Sequence, residues 1–230
     1  MNKKVIICIL NKNEAKNLKT ISLKIKKISK KIKTVFIDGG STDTSQLIAK
    51  KIGLEILNWK KYSRGTSIIK AIDKYKKKYK YIIFTSSDGE ENINDIKLFI
   101  KEFKDGADLV IASRLLKGGF FKSNYNKLWI HRKLYLQLIS FLIRLFFGGN
   151  IKDCWNGFRG FKLSCFKKIR LVENDYLVEA ESTIKFLKKG LIIKEFPTIE
   201  KPRKYGVSSN SIIKSGFGHI YLILKNIIYR

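Results

Sequence analysis

Val35-Phe36-Ile37-Asp38-Gly39-Gly40-Ser41-Thr42-Asp43 reads as a buried strand running into an acidic, glycine-softened turn, with Thr42 or Asp43 placed to cap a following helix. In α/β sheets ligands bind outside the carboxyl ends of parallel strands, so a strand that ends in a carboxylate is a candidate ligand contact. Tyr81-Ile82-Ile83-Phe84-Thr85-Ser86-Ser87-Asp88-Gly89-Glu90 is a second strand end of this kind. Two such ends in one sheet suit the two halves of a nucleotide, base and ribose at one, diphosphate and metal at the other. The pairing points to a nucleotide-using enzyme.

The surrounding pattern gives the fold class. Apolar runs at 4–10, 32–38, 54–57, 80–85 and 107–112 predict strands, and helical spacing predicts helices over 13–29, 43–52, 65–78 and from Asn94 to about Phe103. Strand–helix alternation of this kind implies a mostly parallel, Rossmann-like sheet flanked by helices, with right-handed crossovers. At 230 residues the expectation is one α/β domain, 1–230. It divides into a nucleotide-binding half (1–115), an acceptor-side half (116–210) and a C-terminal amphipathic helix (211–230). The glycine-bearing loop Lys117–Asn126 is the expected acceptor-side lid.

Cys8, Cys154 and Cys165 are odd in number and widely spaced, which reads as reduced, structural thiols of a cytoplasmic protein. The formal charge of +29 favours an anionic partner such as a phosphorylated substrate, an anionic membrane leaflet or nucleic acid; a solvated lysine-rich surface is the plain alternative. Nucleic acid is not expected, because no helix-turn-helix, RNA-recognition or zinc-finger signature accompanies the charge. No stretch approaches the roughly eighteen consecutive apolar residues of a spanning helix.

Residues 134–147 carry one thin polar stripe, Lys133, Gln137, Ser140 and Arg144, and are otherwise apolar. Such a segment fits either a core helix or a helix lying in a membrane interface. Residues 211–229 resemble it, with Ile213, Phe217, Ile220, Leu224 and Ile227 on one side.

Asp38 suits a base N–H or ribose hydroxyl, or a turn aspartate satisfying its own backbone. Asp88 suits a divalent cation, because hard cations take carboxylate oxygens, and Glu90 can supply a second oxygen. The ordered set of motifs around these acids resembles the family 2 glycosyltransferases of the GT-A fold, in the dolichol-phosphate mannosyltransferase-like branch. The resemblance runs over about residues 4–210 and rests on Asn11-Lys12-Asn13-Glu14, Ile37–Asp43, Arg64-Gly65 and Ile111-Ala-Ser-Arg114. It continues through Asp153-Cys-Trp-Asn-Gly-Phe-Arg159, Glu181 ahead of Lys188-Lys-Gly190, Glu195-Phe-Pro197 and Arg203-x-x-Gly206-x-Ser208. The family's metal motif is Asp-x-Asp, often followed by Gln; here Ser86 replaces the first acid, while Asp88 and Glu90 take the places of the second acid and the Gln.

The resemblance implies transfer of a sugar, with inversion, from a nucleoside-diphosphate sugar to a polyprenyl phosphate or a lipid-linked or cell-envelope glycan, assisted by Mg²⁺ or Mn²⁺. Asn13, Glu14, Asp38, Arg64, Gly65, Arg114, Arg159 and Arg203 are then the expected donor contacts, with Asp88 and Glu90 at the metal. Arg159 also reads as an ion-pair partner of Asp153. For a hydroxyl acceptor, Asp153 and then Glu181 are the candidate general bases; a phosphate acceptor is already ionised and needs none. Trp155 and Phe158 suit a sugar ring, a prenyl tail or the core. The expected location is peripheral, at the cytoplasmic face of the cell membrane. A soluble transferase for surface polysaccharide and an inactive transferase-like scaffold are the alternatives.

Overall fold

The computed structural model describes residues 4–59, 63–121, 128–206 and 212–228. The first half alternates β1 (Val5–Asn11), α1 (Ala15–Ser29), β2 (Lys33–Asp38), α2 (Ser45–Lys51), β3 (Glu55–Asn58), α3 (Arg64–Tyr75), β4 (Tyr81–Ser86), α4 (Ile96–Lys104) and β5 (Leu109–Ser113). Each element predicted for this half is present within a few residues. The second half adds β6 (Phe120–Phe121), α5 (Leu128–Phe147), β7 (Arg159–Lys162), α6 (Val178–Lys188), β8 (Ile193–Pro197), β9 (Ile199–Glu200) and α7 (Ile212–Ile228).

Seven strands form one sheet in the order β3-β2-β1-β4-β7-β5-β8. All neighbours run parallel except β7, which is antiparallel to both β4 and β5. Strands β7 and β8 come from the second half, so the two halves share the sheet. Strands β6 and β9 pair separately. Of the expected lid, residues 122–126 lie outside the described residues, as does Ser208.

Strand alternation sends neighbouring side chains to opposite faces, and both faces are covered. Ile6, Cys8, Leu10, Ile82 and Phe84 pack with α3, α5, α6 and α7. Val5, Ile7, Ile9, Tyr81 and Ile83 pack with α1 and α4. All three cysteines are free and buried, and burial pushes the thiol of Cys154 up to about 12 and that of Cys165 up to about 11, so neither is a ready nucleophile. Trp155 and Phe158 are core residues: Trp155 packs edge-on to Tyr135 and His219, and Phe158 packs on Phe99.

Helix α5 departs from a simple amphipathic reading. It buries Leu136, Ile139, Ser140 and Ile143 but exposes Ile130, Leu134, Leu138, Phe141 and Leu145. Ser140, a member of the polar stripe, points inward and accepts from the Cys154 N–H at 3.2 Å; Arg144 donates to the Ile151 carbonyl at 2.7 Å. Helix α7 packs on α5 and leaves Phe217, Ile220, Tyr221, Leu224 and Ile228 exposed. Among the described residues, no helix is long and apolar enough to cross a membrane.

Candidate active site

A cavity of ≈ 1090 Å³ opens at the carboxyl ends of β1, β2 and β4. Its floor is Leu10, Asn11, Ile37, Ser86, Ser87 and Asp88, and its walls come from the starts of α1 and α3, from Asp175 and Tyr176, and from Arg203, Tyr205 and Gly206. This is where the twist and crossovers of a parallel sheet leave room for a ligand.

Asn11, which stands in the first motif but was given no role there, ties the two acidic strand ends together. Its Nδ2 donates to Asp38 Oδ1 at 2.9 Å and to Ser41 Oγ at 2.9 Å, while its Oδ1 accepts from Ser87 Oγ at 2.6 Å. A polar residue closing an otherwise apolar strand was the available clue. Asn13 holds the turn from the other side, in the left-handed region at φ 56°, which asparagine tolerates better than most residues. Its Oδ1 accepts from the Thr42 N–H at 2.7 Å. Asp43 accepts from Ala15 N and Ser45 N, so it caps the start of α1 as well as that of α2.

Asp88, just beyond the end of β4, lines the cavity together with Glu14, Asp43 and Asp175. Its Oδ1 accepts from the Glu90 N–H at 3.1 Å, and its Oδ2 accepts from Arg203 Nη2 at 3.0 Å. Arg203 also donates to Glu90 Oε1 at 3.0 Å and to Glu14 Oε1 at 2.9 Å, so one guanidinium is held by three acids. The strap that carries it is pinned by Asn17, whose side chain exchanges two hydrogen bonds with the backbone of Tyr205. On the opposite wall Arg64 Nε donates to Glu179 Oε1 at 2.6 Å. Gly157 makes this possible, because a Cβ there would lie 1.9 Å from Arg64 Nη2. Glu179 was not foreseen; its neighbour Glu181 was singled out instead.

Several predicted contacts are used up elsewhere. Asp38 is fully buried and its carboxylate accepts from Asn11, Gly40 N, Ser41 N, Ser41 Oγ and Gln46, so it organises the turn. Burial raises its carboxyl, but these donors outweigh burial and hold it below the usual range. Gly65 lets the α3 backbone approach the loop at Glu173 and Asn174, where a Cβ would lie 2.3 Å from the Glu173 carbonyl. Arg114 forms a buried two-point pair with Asp153, at 2.7 and 2.9 Å, and reaches Glu200 at 2.7 Å. Asp153 therefore pairs with Arg114, not Arg159, and with no exposed surface it is not placed to take a proton from an acceptor. Arg159 is buried and donates to the carbonyls of Cys154, Asn156 and Glu179 and to Ser182 Oγ, joining β7 to α6. Glu181, also without exposed surface, accepts from Val172 N and Glu173 N and pairs with Lys185. Both expected general bases are thus structural. The structure gathers Asn13, Glu14, Arg64, Asp88 and Arg203 at the cavity, with Glu90 bound to Arg203.

Burial, Asp88 and Glu200 raise the Glu90 carboxyl to about 7, and burial and Asp88 raise Glu91 to about 7, from an ordinary 4.5. Between those values the folded protein keeps protons that the unfolded chain has released, so stability falls as pH rises through the window. The thermal midpoint of the ligand-free protein is expected to drop from about pH 5 to about pH 8, and Glu90→Gln is expected to remove part of that drop, leaving the share due to Glu91. A midpoint that climbs over this range would contradict the placement of these acids.

Residues 5–170 match glycosyl transferase family 2. The chain belongs to this family. Glycosyltransferase AglJ of Haloferax volcanii is 23% identical over 177 residues, 76% of this chain, and the chain spans only 55% of that relative's length. Polyprenol monophosphomannose synthase of Mycolicibacterium smegmatis is 23% identical over 220 residues, covering 90% of this chain and 81% of that protein. Among solved structures, glucosyl-3-phosphoglycerate synthase of Mycobacterium tuberculosis superposes with a TM-score of 0.71 at 14% identity, over 98% of this chain and 80% of that one. Another structure of that synthase, with Mn²⁺, UDP and glucosyl-3-phosphoglycerate, gives a TM-score of 0.67 at 15% identity over 98% of this chain and 80% of that one. The family 2 transferase and its GT-A fold are therefore as the sequence led one to expect.

The donor set at the cavity can be tested against a divalent cation. Among the described residues, no three acids, histidines or cysteines are gathered to hold a metal unaided. Mg²⁺ and Mn²⁺ do not require that in nucleotide sites, where one or two carboxylates and the substrate's phosphates share the coordination. Asp88, an oxygen donor facing the cavity and crowded by Glu14 and Glu90, fits that arrangement.

Proposed function

We propose that this family 2 transferase moves a sugar from a nucleoside-diphosphate donor to a polyprenyl phosphate at the surface of an anionic membrane, with inversion. The donor seat is the cavity. Asp88 is the cation's protein ligand and Glu90 supports it through Arg203; the cation, when bound, neutralises charge on the departing diphosphate. Arg64 and Arg203 face the same region, and a guanidinium's planar fork suits phosphate oxygens. Neither Asp153 nor Glu181 is free to act as a base, which favours an acceptor that arrives ionised.

The observation that carries the lipid acceptor is the exposed apolar face of α5 beside that of α7. Leu134, Leu138, Phe141 and Leu145 recur at spacings of four, three and four, so they form a stripe on the side away from the core. An apolar stripe left exposed among the described residues marks an interaction surface. The +29 charge suits an anionic leaflet, which is the cytoplasmic one in most cells, and the name of the M. smegmatis relative supports a polyprenol acceptor.

Sedimentation with phosphatidylglycerol-containing vesicles tests the surface. Leu138 and Phe141 are 54% and 50% exposed, so replacing both with Asp is expected to leave the thermal midpoint in place. The vesicle partition coefficient is expected to fall about tenfold or more, since each side chain contributes roughly 1.5–3 kcal/mol when buried in an apolar phase. An unchanged partition would remove the membrane from the account.

A further inference from the structure

We infer that Glu91 supplies the carboxylate this chain lacks at position 86, so that the cation and diphosphate are served by Asp88 and Glu91 together. The inference rests on the donor reading above and concerns how this chain completes that site. The first acid of the family's Asp-x-Asp pattern is replaced by Ser86, whose side chain lines the cavity. After Asp88 the backbone turns through Gly89, at φ 79°, a conformation that glycine adopts without strain. The turn brings the Glu91 side chain back over the end of β4.

Glu91 Oε2 accepts from the Ser86 N–H at 2.8 Å and from the Thr85 hydroxyl, and these two donors fix the carboxylate. Its other oxygen, Oε1, lies 3.5 Å from Ser86 Oγ. That hydroxyl is in turn 3.5 Å from Arg64 Nη1. The Glu91 carboxyl group is thus held against residue 86, whose side chain lines the cavity, with one oxygen anchored and the other loosely engaged. Serine is small enough to leave this space and keeps the backbone donor that Glu91 needs. A glutamate that only closed the turn would require Oε2 alone. In the proposed role Oε1 accepts a hydrogen bond from water on the cation, and its charge adds to that of Asp88.

The test is Mn²⁺ binding, followed by the paramagnetic signal of the free ion, with the full chain alone and with UDP or GDP. Glu91→Gln keeps an oxygen for the Ser86 N–H and removes the charge. It is expected to leave the ligand-free thermal midpoint near that of the wild type and to weaken Mn²⁺ binding in the presence of nucleotide about tenfold. Glu91→Ala should weaken it at least as much, and adding Ser86→Asp to Glu91→Ala should restore most of the loss by returning a carboxylate to the strand end. Wild-type affinity in Glu91→Gln, or no recovery in the double variant, would overturn the inference while leaving the donor reading intact. Absence of nucleotide-dependent Mn²⁺ binding in the wild type itself would instead overturn the donor reading, and this inference with it.

Discussion

Asp88→Asn is expected to lower kcat/KM for sugar transfer by about a thousandfold, or about 4 kcal/mol of transition-state stabilisation. Asparagine matches the shape of aspartate and still offers an oxygen to the Glu90 N–H, which Asp88 Oδ1 now holds at 3.1 Å. It removes the charge that would hold a cation against the diphosphate and loosens the grip on Arg203. The fold should not suffer. Burial raises the Asp88 carboxyl above its usual range despite Arg203, so the folded protein carries this charge at a cost that the variant relieves. A thermal midpoint equal to or above that of the wild type, together with lost activity, is the expected combination. Activity within tenfold of the wild type would remove Asp88 from the metal site.

The second large effect is on stability. Asp153→Ala is expected to destabilise the fold by about 3–5 kcal/mol, the usual consequence of leaving one member of a buried pair without the other. The pair is Arg114 with Asp153, and the aspartate also accepts from the Arg114 backbone N–H at 3.0 Å. Burial pushes the Asp153 carboxyl up, and the guanidinium more than offsets this, leaving it below the ordinary carboxylate range. Urea midpoints for wild type, Asp153→Ala and Arg114→Ala should fall by similar amounts for the two variants. A catalytic Asp153 would behave differently, losing activity on substitution while keeping its urea midpoint.

Asp153 also marks where sequence reasoning ran out. Its motif is local, but its partner Arg114 stands 39 positions away, and only the fold brings them together. The same holds for Arg159, whose acceptors are mostly main-chain carbonyls that no motif records. By contrast, Asp88 and Glu14 sit just beyond strand ends, and the end of a parallel strand is a place that can be read from an apolar run followed by a polar turn. Strand β7 was missed because it is only four residues long and has a buried arginine at its head, which breaks the apolar pattern. On α5 the thin polar stripe left a core helix and an interfacial helix both open, and two of its members, Ser140 and Arg144, are tied to the 151–154 segment. Lys133 and Gln137 of that stripe are exposed together with Leu134, Leu138, Phe141 and Leu145, and this exposed apolar set is the strongest physical reason to bring a lipid surface into the account.

The most direct measurement is transfer of radiolabelled sugar from UDP- and GDP-linked donors to polyprenyl phosphate in anionic vesicles, with Mn²⁺, followed as label extracted into organic solvent. The account predicts organic-soluble label from one donor, dependent on the polyprenyl phosphate and absent with Asp88→Asn. Label that appears only on a water-soluble acceptor, or lipid labelling that survives Asp88→Asn, would contradict it.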